Sequence, residues 1–419
     1  GLLRFQNERF TFYTTEDGLS DNEVMDIFED REGNLWVGTN TGGLNRLSRK
    51  FMTTYSTAEG LHNGNVYPIL QDRAGVIWLG ASVSLTRFAD GRFTNYTEKD
   101  GLSYDFHGQA LCEDRNGRLW VGSYGGLNWI ENGKYHEGKL IPQQNVFAID
   151  EDRNGNLWVG TEHRLYKCRD GVCKEYRPND GPTLRDVKMI YEDRRGDLWI
   201  ATYGGLARLS EDRITLWTER EGLGSNRVRY IHEDADGVFW IGTYDGGLSR
   251  FKNGRFTNYN VENGLYNNGV FQILEDARGI FWMGCNKGIY RVSKQQLNDF
   301  ADGKISSIIC SAYGEEDGMR NAECNGGRQP GGLLARDGKL WFPTMDGAVV
   351  VDTESAPFNP VPPPVLIESV VLDRHAVDFQ DAVRIAPDQK YLEINYAGLS
   401  FIKSDQTRFR YRLGGQDAE

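Results

Sequence analysis

Asn34-Leu-Trp-Val-Gly-Thr39 is the first of eight related stretches, and their spacing decides the fold. The others are Val76-Ile-Trp-Leu-Gly-Ala81, Arg118-Leu-Trp-Val-Gly-Ser123, Asn156-Leu-Trp-Val-Gly-Thr161, Asp197-Leu-Trp-Ile-Ala-Thr202, Val238-Phe-Trp-Ile-Gly-Thr243, Ile280-Phe-Trp-Met-Gly-Cys285 and Lys339-Leu-Trp-Phe-Pro-Thr344. Successive tryptophans lie 42, 42, 38, 41, 41, 42 and 59 residues apart. A period near forty with a Trp-containing strand is the mark of a β-propeller blade or a similar array. One blade cannot bury its own faces, so the array must close, and the expected class is all-β.

Outward from Trp36 the unit can be read strand by strand. Val24 to Asp30 alternates as an inner strand, Asp30-Arg-Glu-Gly33 is a turn, and residues 34–39 form the second strand. Gly42 to Leu47 supplies a third strand and Phe51 to Tyr55 an outer fourth. The residue three before the turn Asp recurs as Ile27, Ile69, Leu111, Ile149, Ile190, Ile231 and Ile273, which predicts a core position. The turn acids recur with it and read as frame residues, with Gly where the hairpin needs positive φ. A metal at these turns is disfavoured, because Arg at the second position and one or two carboxylates make a poor calcium loop.

Composition limits the alternatives. The net charge of -12 argues against a nucleic-acid or anionic-membrane surface, and no run approaches the length of a membrane span. Gly1-Leu-Leu-Arg-Phe5 matches the strand that follows Trp in later copies, so the sequence is expected to begin within a repeat of a longer parent. The enlarged last interval places an insertion in Lys294 to Gln329, with a helical turn or two at Gln295 to Phe300 and a Gly- and Asn-rich loop around Asn325. Long loops in a repetitive scaffold are functional or serve closure of the ring. Five prolines between 357 and 364 mark a stiff linker. Beyond it Val365 to Leu372, Tyr391 to Tyr396 and Arg408 to Leu413 read as strands of a truncated β-sandwich.

Catalytic motifs are missing from the sequence. The six histidines show no metal spacing, no Gly-Lys is followed by Ser or Thr, and no Gly-x-Ser-x-Gly elbow occurs. The expectation is therefore no catalytic residue, no metal and no cofactor. Recognition residues are sought where the internal pattern breaks, around the Val that opens each inner strand: Asn65 and Tyr67, His107 and Gln109, Asn145 and Phe147, Asp186 and Lys188, Arg227 and Arg229. Tyr124, Tyr203 and Tyr244 add an aromatic at the neighbouring turn between second and third strands. The expected ligand-binding set is Tyr67, His107, Tyr124, Lys188, Tyr203, Arg227, Arg229 and Tyr244, aromatic and polar groups suited to a polyhydroxylated or acidic sugar. In Lys167-Cys-Arg-Asp-Gly-Val-Cys-Lys174 a turn at Asp170-Gly171 sets Cys168 opposite Cys173, about 4.5 Å apart at Cα in a non-hydrogen-bonded pair, which favours a disulfide and an oxidising compartment.

The unit Val228 to Phe251, with Val-x-x-Ile-x-Glu-Asp before the turn and Gly-Gly-Leu-x-Arg-Phe after the Trp strand, resembles the two-component regulator propeller repeat. Asp317-Gly-Met-Arg through Glu323-Cys-Asn-Gly-Gly327 to Leu340-Trp-Phe-Pro-Thr344 resembles the closing repeat of that family. The tail from Pro363, with Phe409-Arg-Tyr-Arg-Leu413, resembles its triple-tyrosine β-sandwich. The resemblance implies seven blades from Trp78 to Trp341, closed by Phe51 to Thr57, although eight copies could also close as eight blades. It divides the chain into residues 1–57 from a preceding propeller or first blade, a propeller at 58–355, a linker at 356–364 and a partial sandwich at 365–419. It further implies a periplasmic, ligand-sensing region of an inner-membrane receptor, a homodimer through its parent. A histidine kinase or diguanylate cyclase would be the effector and an oligosaccharide or other small molecule the ligand, with no nucleic acid and a membrane only through other parts of the parent. Two alternatives stand beside it: a propeller glycosidase or lyase of sialidase type, which needs three Arg on one mouth, and a protein-interaction scaffold.

Overall fold

The computed structural model describes the chain except for residues 7, 48–50, 104–105, 178–181, 357–363, 380–382, 387–388, 402–408 and 410–419. The chain divides into two compact units, one of residues 50–354 and one of residues 1–49 with 355–419.

In the larger unit the described residues form seven four-stranded antiparallel sheets, six of them running from an inner to an outer strand in chain order. Blade one is Val66–Gln71, Ile77–Ala81, Ser84–Ala89 and Arg92–Tyr96. The inner strands of blades two to six begin at Ala110, Val146, Met189, Val228 and Ile273. Blade seven joins Leu333–Leu334, Leu340–Thr344 and Gly347–Val351 to Met52–Tyr55, with Val349 opposite Thr54. The ring is thus closed by a strand from its own beginning, and it starts ahead of residue 58, the boundary expected from the sequence. Pairing first and last segments in one sheet ties the ring shut and leaves only the short inner and outer edges of the blades.

Each blade packs its inner face on the next. Ile69, Leu111, Ile149, Ile190, Ile231 and Ile273 are buried as expected. Ile27 is 48% exposed, contrary to the expectation. Its sheet of Val24–Glu29, Leu35–Thr39 and Gly43–Leu47 lies in the smaller unit and has only three strands. The small residue after Trp-x has a packing reason. A Cβ on Gly160 would lie 2.3 Å from Val187 Cγ1, so the second strand must stay bare where the opening Val of the next blade enters.

The turn acids hold the tryptophans. The indole Nε1 of Trp78, Trp120, Trp158, Trp199, Trp240 and Trp282 donates to the Asp six residues before it at 2.8 to 3.0 Å. The other carboxylate oxygen accepts backbone N–H groups of the turn, as Asp193 does from Arg195 and Asp197 at 2.9 Å. A carboxylate occupied in this way is a structural clamp. Ala335 stands at this position in the last copy.

The insertion after blade six forms a helix at Lys294–Ala301, whose Leu297 is buried and whose Leu297 carbonyl accepts from Tyr259 Oη at 2.7 Å. Cys168 and Cys173 face each other as expected and are joined by a disulfide, with Cα atoms 3.9 Å apart. In the smaller unit Val365–Leu372 pairs with His375–Val377 and Leu392–Gly398 in a three-stranded sheet. The strand expected at 408–413 and most of the proline linker fall outside the described residues. No helix among the described residues is long and apolar enough to cross a membrane.

Candidate functional site

One sequence position supplies most of the site. Two residues before the buried core residue of each inner strand stand Tyr67, Gln109, Phe147, Lys188, Arg229 and Phe271 in blades one to six. In blades one, three and five the strand register breaks here, between Val66 and Ile69, Val146 and Ala148, and Val228 and Tyr230. A bulge leaves its extra residue out of the ladder and re-aims the side chain. The buried valines beside it, Val66, Val146, Val187, Val228 and Val270, fix the backbone while the neighbour is freed. The adjacent turn between second and third strands is tied to the same mouth, since Tyr244 N donates to Arg227 O at 2.9 Å and Glu162 N to Asn145 O at 3.2 Å.

The long insertion reaches this mouth from another part of the chain. Asn325 Nδ2 donates to Val66 O and to Thr344 O, at 2.6 and 3.0 Å. Gln329 then bridges four inner strands with its neighbour Pro330. Its N–H donates to Phe147 O at 3.2 Å and its carbonyl accepts from Leu111 at 2.9 Å. Its side chain exchanges two bonds with the Ile190 backbone, at 3.0 and 2.7 Å, and Pro330 O accepts from Ile69 at 3.1 Å. These bonds satisfy groups on the free edge of the inner strands, each of which ends its sheet. They also place Arg328 among the side chains of the mouth, where its Nε donates to Gln109 Oε1.

What results is an arc in which cations and rings alternate. The Arg328 guanidinium lies 5.8 Å from the Tyr67 ring centroid and 4.3 Å from that of Phe147. Lys188 Nζ lies 4.0 Å from Phe147 and 4.4 Å from Tyr203. Arg227 sits 5.4 Å from Tyr203 and 3.9 Å from Tyr244, while Arg229 is held between Tyr244 at 4.3 Å and Phe271 at 4.1 Å. Tyr203 Oη accepts from Arg229 Nε at 3.2 Å. Ring faces attract cations, so the stacks hold extended side chains in place without neutralising them.

Burial bears on these charges. Lys188, only 4% exposed, has its pKa pushed down to about 8, first by desolvation and then by the nearby Arg328 charge; Asp186 at 3.4 Å offsets part of this. Desolvation likewise lowers the pKa of Arg229 and of Arg328. Both remain cations, given how high an arginine starts.

Of the residues expected from the sequence, Lys188, Tyr203, Arg227, Arg229 and Tyr244 are brought into direct contact. Tyr67 joins the arc through Arg328. His107 stacks on the exposed Tyr124, with ring centroids 4.5 Å apart, and forms a pair of its own beside Gln109. Sequence reasoning missed Arg328 and Phe271. The second was legible as the blade-six equivalent of Phe147, whereas nothing periodic marks the first. Among the described residues no group of His, Cys, Asp or Glu gathers as metal ligands.

The fold and mouth define a seven-bladed propeller whose blades carry one recurrent motif. Residues 18–41, 102–125, 140–163, 182–204 and 222–245 match the family described as two component regulator propeller. The chain is similar in structure to the extracellular domain of a hybrid two component system from B. thetaiotaomicron, at 22% identity and a TM-score of 0.69, covering 93% of this chain and 55% of that one. It is also similar to the extracellular domain of a one component system from the same organism, at 19% identity and TM-score 0.59, covering 90% and 54%. A third similar structure is virginiamycin B lyase from Staphylococcus aureus, at 20% identity and TM-score 0.55, covering 72% and 98%. The chain thus spans about half the length of the two B. thetaiotaomicron domains. A comparison with curated protein sequences found no match.

Proposed function

We propose that this chain is part of the extracytoplasmic sensing region of a signal-transduction receptor, and that its ligand, an oligosaccharide, binds at the propeller mouth. The observation that carries the reading is the arc of rings and cations from Tyr67 to Phe271, at the mouth where Gln329 bonds to the inner strands. Aromatic faces stack on the apolar face of a sugar ring, and fixed polar groups meet its hydroxyls. The five regulator-propeller repeats, the extracellular domains of similar fold and the Cys168–Cys173 disulfide support an extracytoplasmic setting. A histidine kinase or diguanylate cyclase in the parent would provide the output.

A glycosidase or lyase is the second reading, because Arg227, Arg229 and Arg328 do gather on one mouth and a lyase shares the fold. Among the described residues the hydroxyls of Tyr67 and Tyr203 bond to Asn65 and Arg229 and neither meets a carboxylate, so no base is placed to take the proton of a nucleophilic tyrosine. Calorimetric titration of the purified chain with a panel of oligosaccharides, with chromatography of each mixture afterwards, separates the two. Binding without cleavage is the expected result. Cleavage would establish the enzyme, and silence across the panel would refute the sensing site.

A further inference from the structure

The charge of the mouth is out of keeping with the chain. The protein carries a net -12, yet Lys188, Arg227, Arg229 and Arg328 converge on a single arc. Two of these have acidic partners: Lys188 has Asp186 at 3.4 Å and Arg227 has Asp245 at 3.0 Å. Arg229 and Arg328 have no ion pair among the described residues. Arg229 uses only Nε, toward Tyr203, and Arg328 uses Nε toward Gln109 and Nη1 toward Gly327 O at 2.8 Å. Both Nη atoms of Arg229 and Nη2 of Arg328 therefore remain open donors.

Resting on the sensing role proposed above, we propose that the ligand is an anionic saccharide whose carboxylate or sulfate is held by Lys188, Arg229 and Arg328, with the partly exposed Tyr203 and Tyr244 stacking on its rings. Desolvated like charges raise one another's energy, and an anion entering among them relieves that repulsion as it forms its own bonds. A neutral sugar would fill the same space, cover the same cations and leave them uncompensated. The guanidinium fork suits an oxyanion with two parallel bonds, and the lysine adds a point charge. A polynucleotide is disfavoured by the acidity of the rest of the chain. Arg328 becomes the specificity-determining residue, because it comes from the insertion, and a blade repeat without that loop would lack it.

The test pairs acidic and neutral probes in calorimetric titrations of the chain. Oligogalacturonate is set against its methyl ester, and sulfated carrageenan oligosaccharides against neutral agarose oligosaccharides. At least one acidic probe is expected to bind ten-fold or more tightly than its neutral partner, with affinity falling as salt rises. The pair that shows the difference distinguishes carboxylate from sulfate. Lys188→Met and Arg328→Met keep an unbranched apolar stem without the charge, and each is expected to lose ten-fold or more for the acidic probe. A thermal melt of each variant identifies a folding defect, and the salt dependence of the unaltered chain decides the matter without any variant. Equal binding of acidic and neutral members overturns the anionic ligand and leaves the sensing site standing. Failure of all four probes overturns both.

Discussion

The two ends of the propeller are built on opposite principles. At the end carrying the turns between first and second strands, the Asp of the turn and the Glu before it recur in most blades and accept hydrogen bonds. Glu113, Glu151 and Glu192 accept the backbone N–H of Arg73, Arg115 and Arg153 from the preceding blade at 2.6 to 2.7 Å. Arg336 N closes the circle on Gln71 Oε1 at 2.9 Å. At the other end the equivalent positions read Tyr, Gln, Phe, Lys, Arg and Phe, no two neighbours alike, and Arg229 and Arg328 have no acidic partner among the described residues. Satisfied repeats make a frame, while the variable, uncompensated groups are where the ligand site is proposed.

The largest effect should come from cutting the frame. Asp193→Ala removes two turn bonds and leaves the indole of the buried Trp199 without its acceptor. It should cost about 3 kcal/mol in urea unfolding, and a loss no larger than at an exposed site would mean that the turn acids are not structural.

At the mouth end Gln329→Leu should cost about 2 kcal/mol, because the Ile190 N–H and C=O lose both partners in a buried place. If the bridging loop serves as support, ligand affinity should fall with it. Unchanged stability would show that the backbone bonds of residues 329 and 330 suffice.

Asp150 sharpens the contrast, since it is the frame acid whose pKa is pushed up to about 7, by desolvation first and then by the Glu192 charge. With the folded value above the unfolded one, the folded state holds the proton more tightly. Its contribution is complete below about pH 4 and is lost as pH rises toward 7. Asp150→Asn should therefore gain Tm relative to the unaltered chain between pH 5 and 7, by a few degrees. A difference constant across that range would contradict it.

The smallest effect is expected for Arg115→Ala. Its bond to Glu151 at 2.8 Å belongs to an arginine side chain 47% exposed, so solvent screening should hold the loss below about 1 kcal/mol.

The sequence by itself determined the blades. A strand pattern of period two reports which face is buried, and the forty-residue repeat aligns Ile69 with Ile273 without a second sequence. It also located most of the mouth, because departures from a repeat are visible only where a repeat exists. Ile27 shows the limit: its local pattern is that of a core residue, yet burial depends on a neighbouring sheet that the pattern cannot supply. Tertiary structure alone decided that Tyr203, Arg227, Tyr244 and Arg229 interleave, since Tyr203 comes from blade four and the other three from blade five. It alone brought Arg328 to Gln109, 219 positions away in the chain. An irregular loop has no period, so its sequence carries no record of what it faces. That is settled by the inner-strand hydrogen bonds it completes.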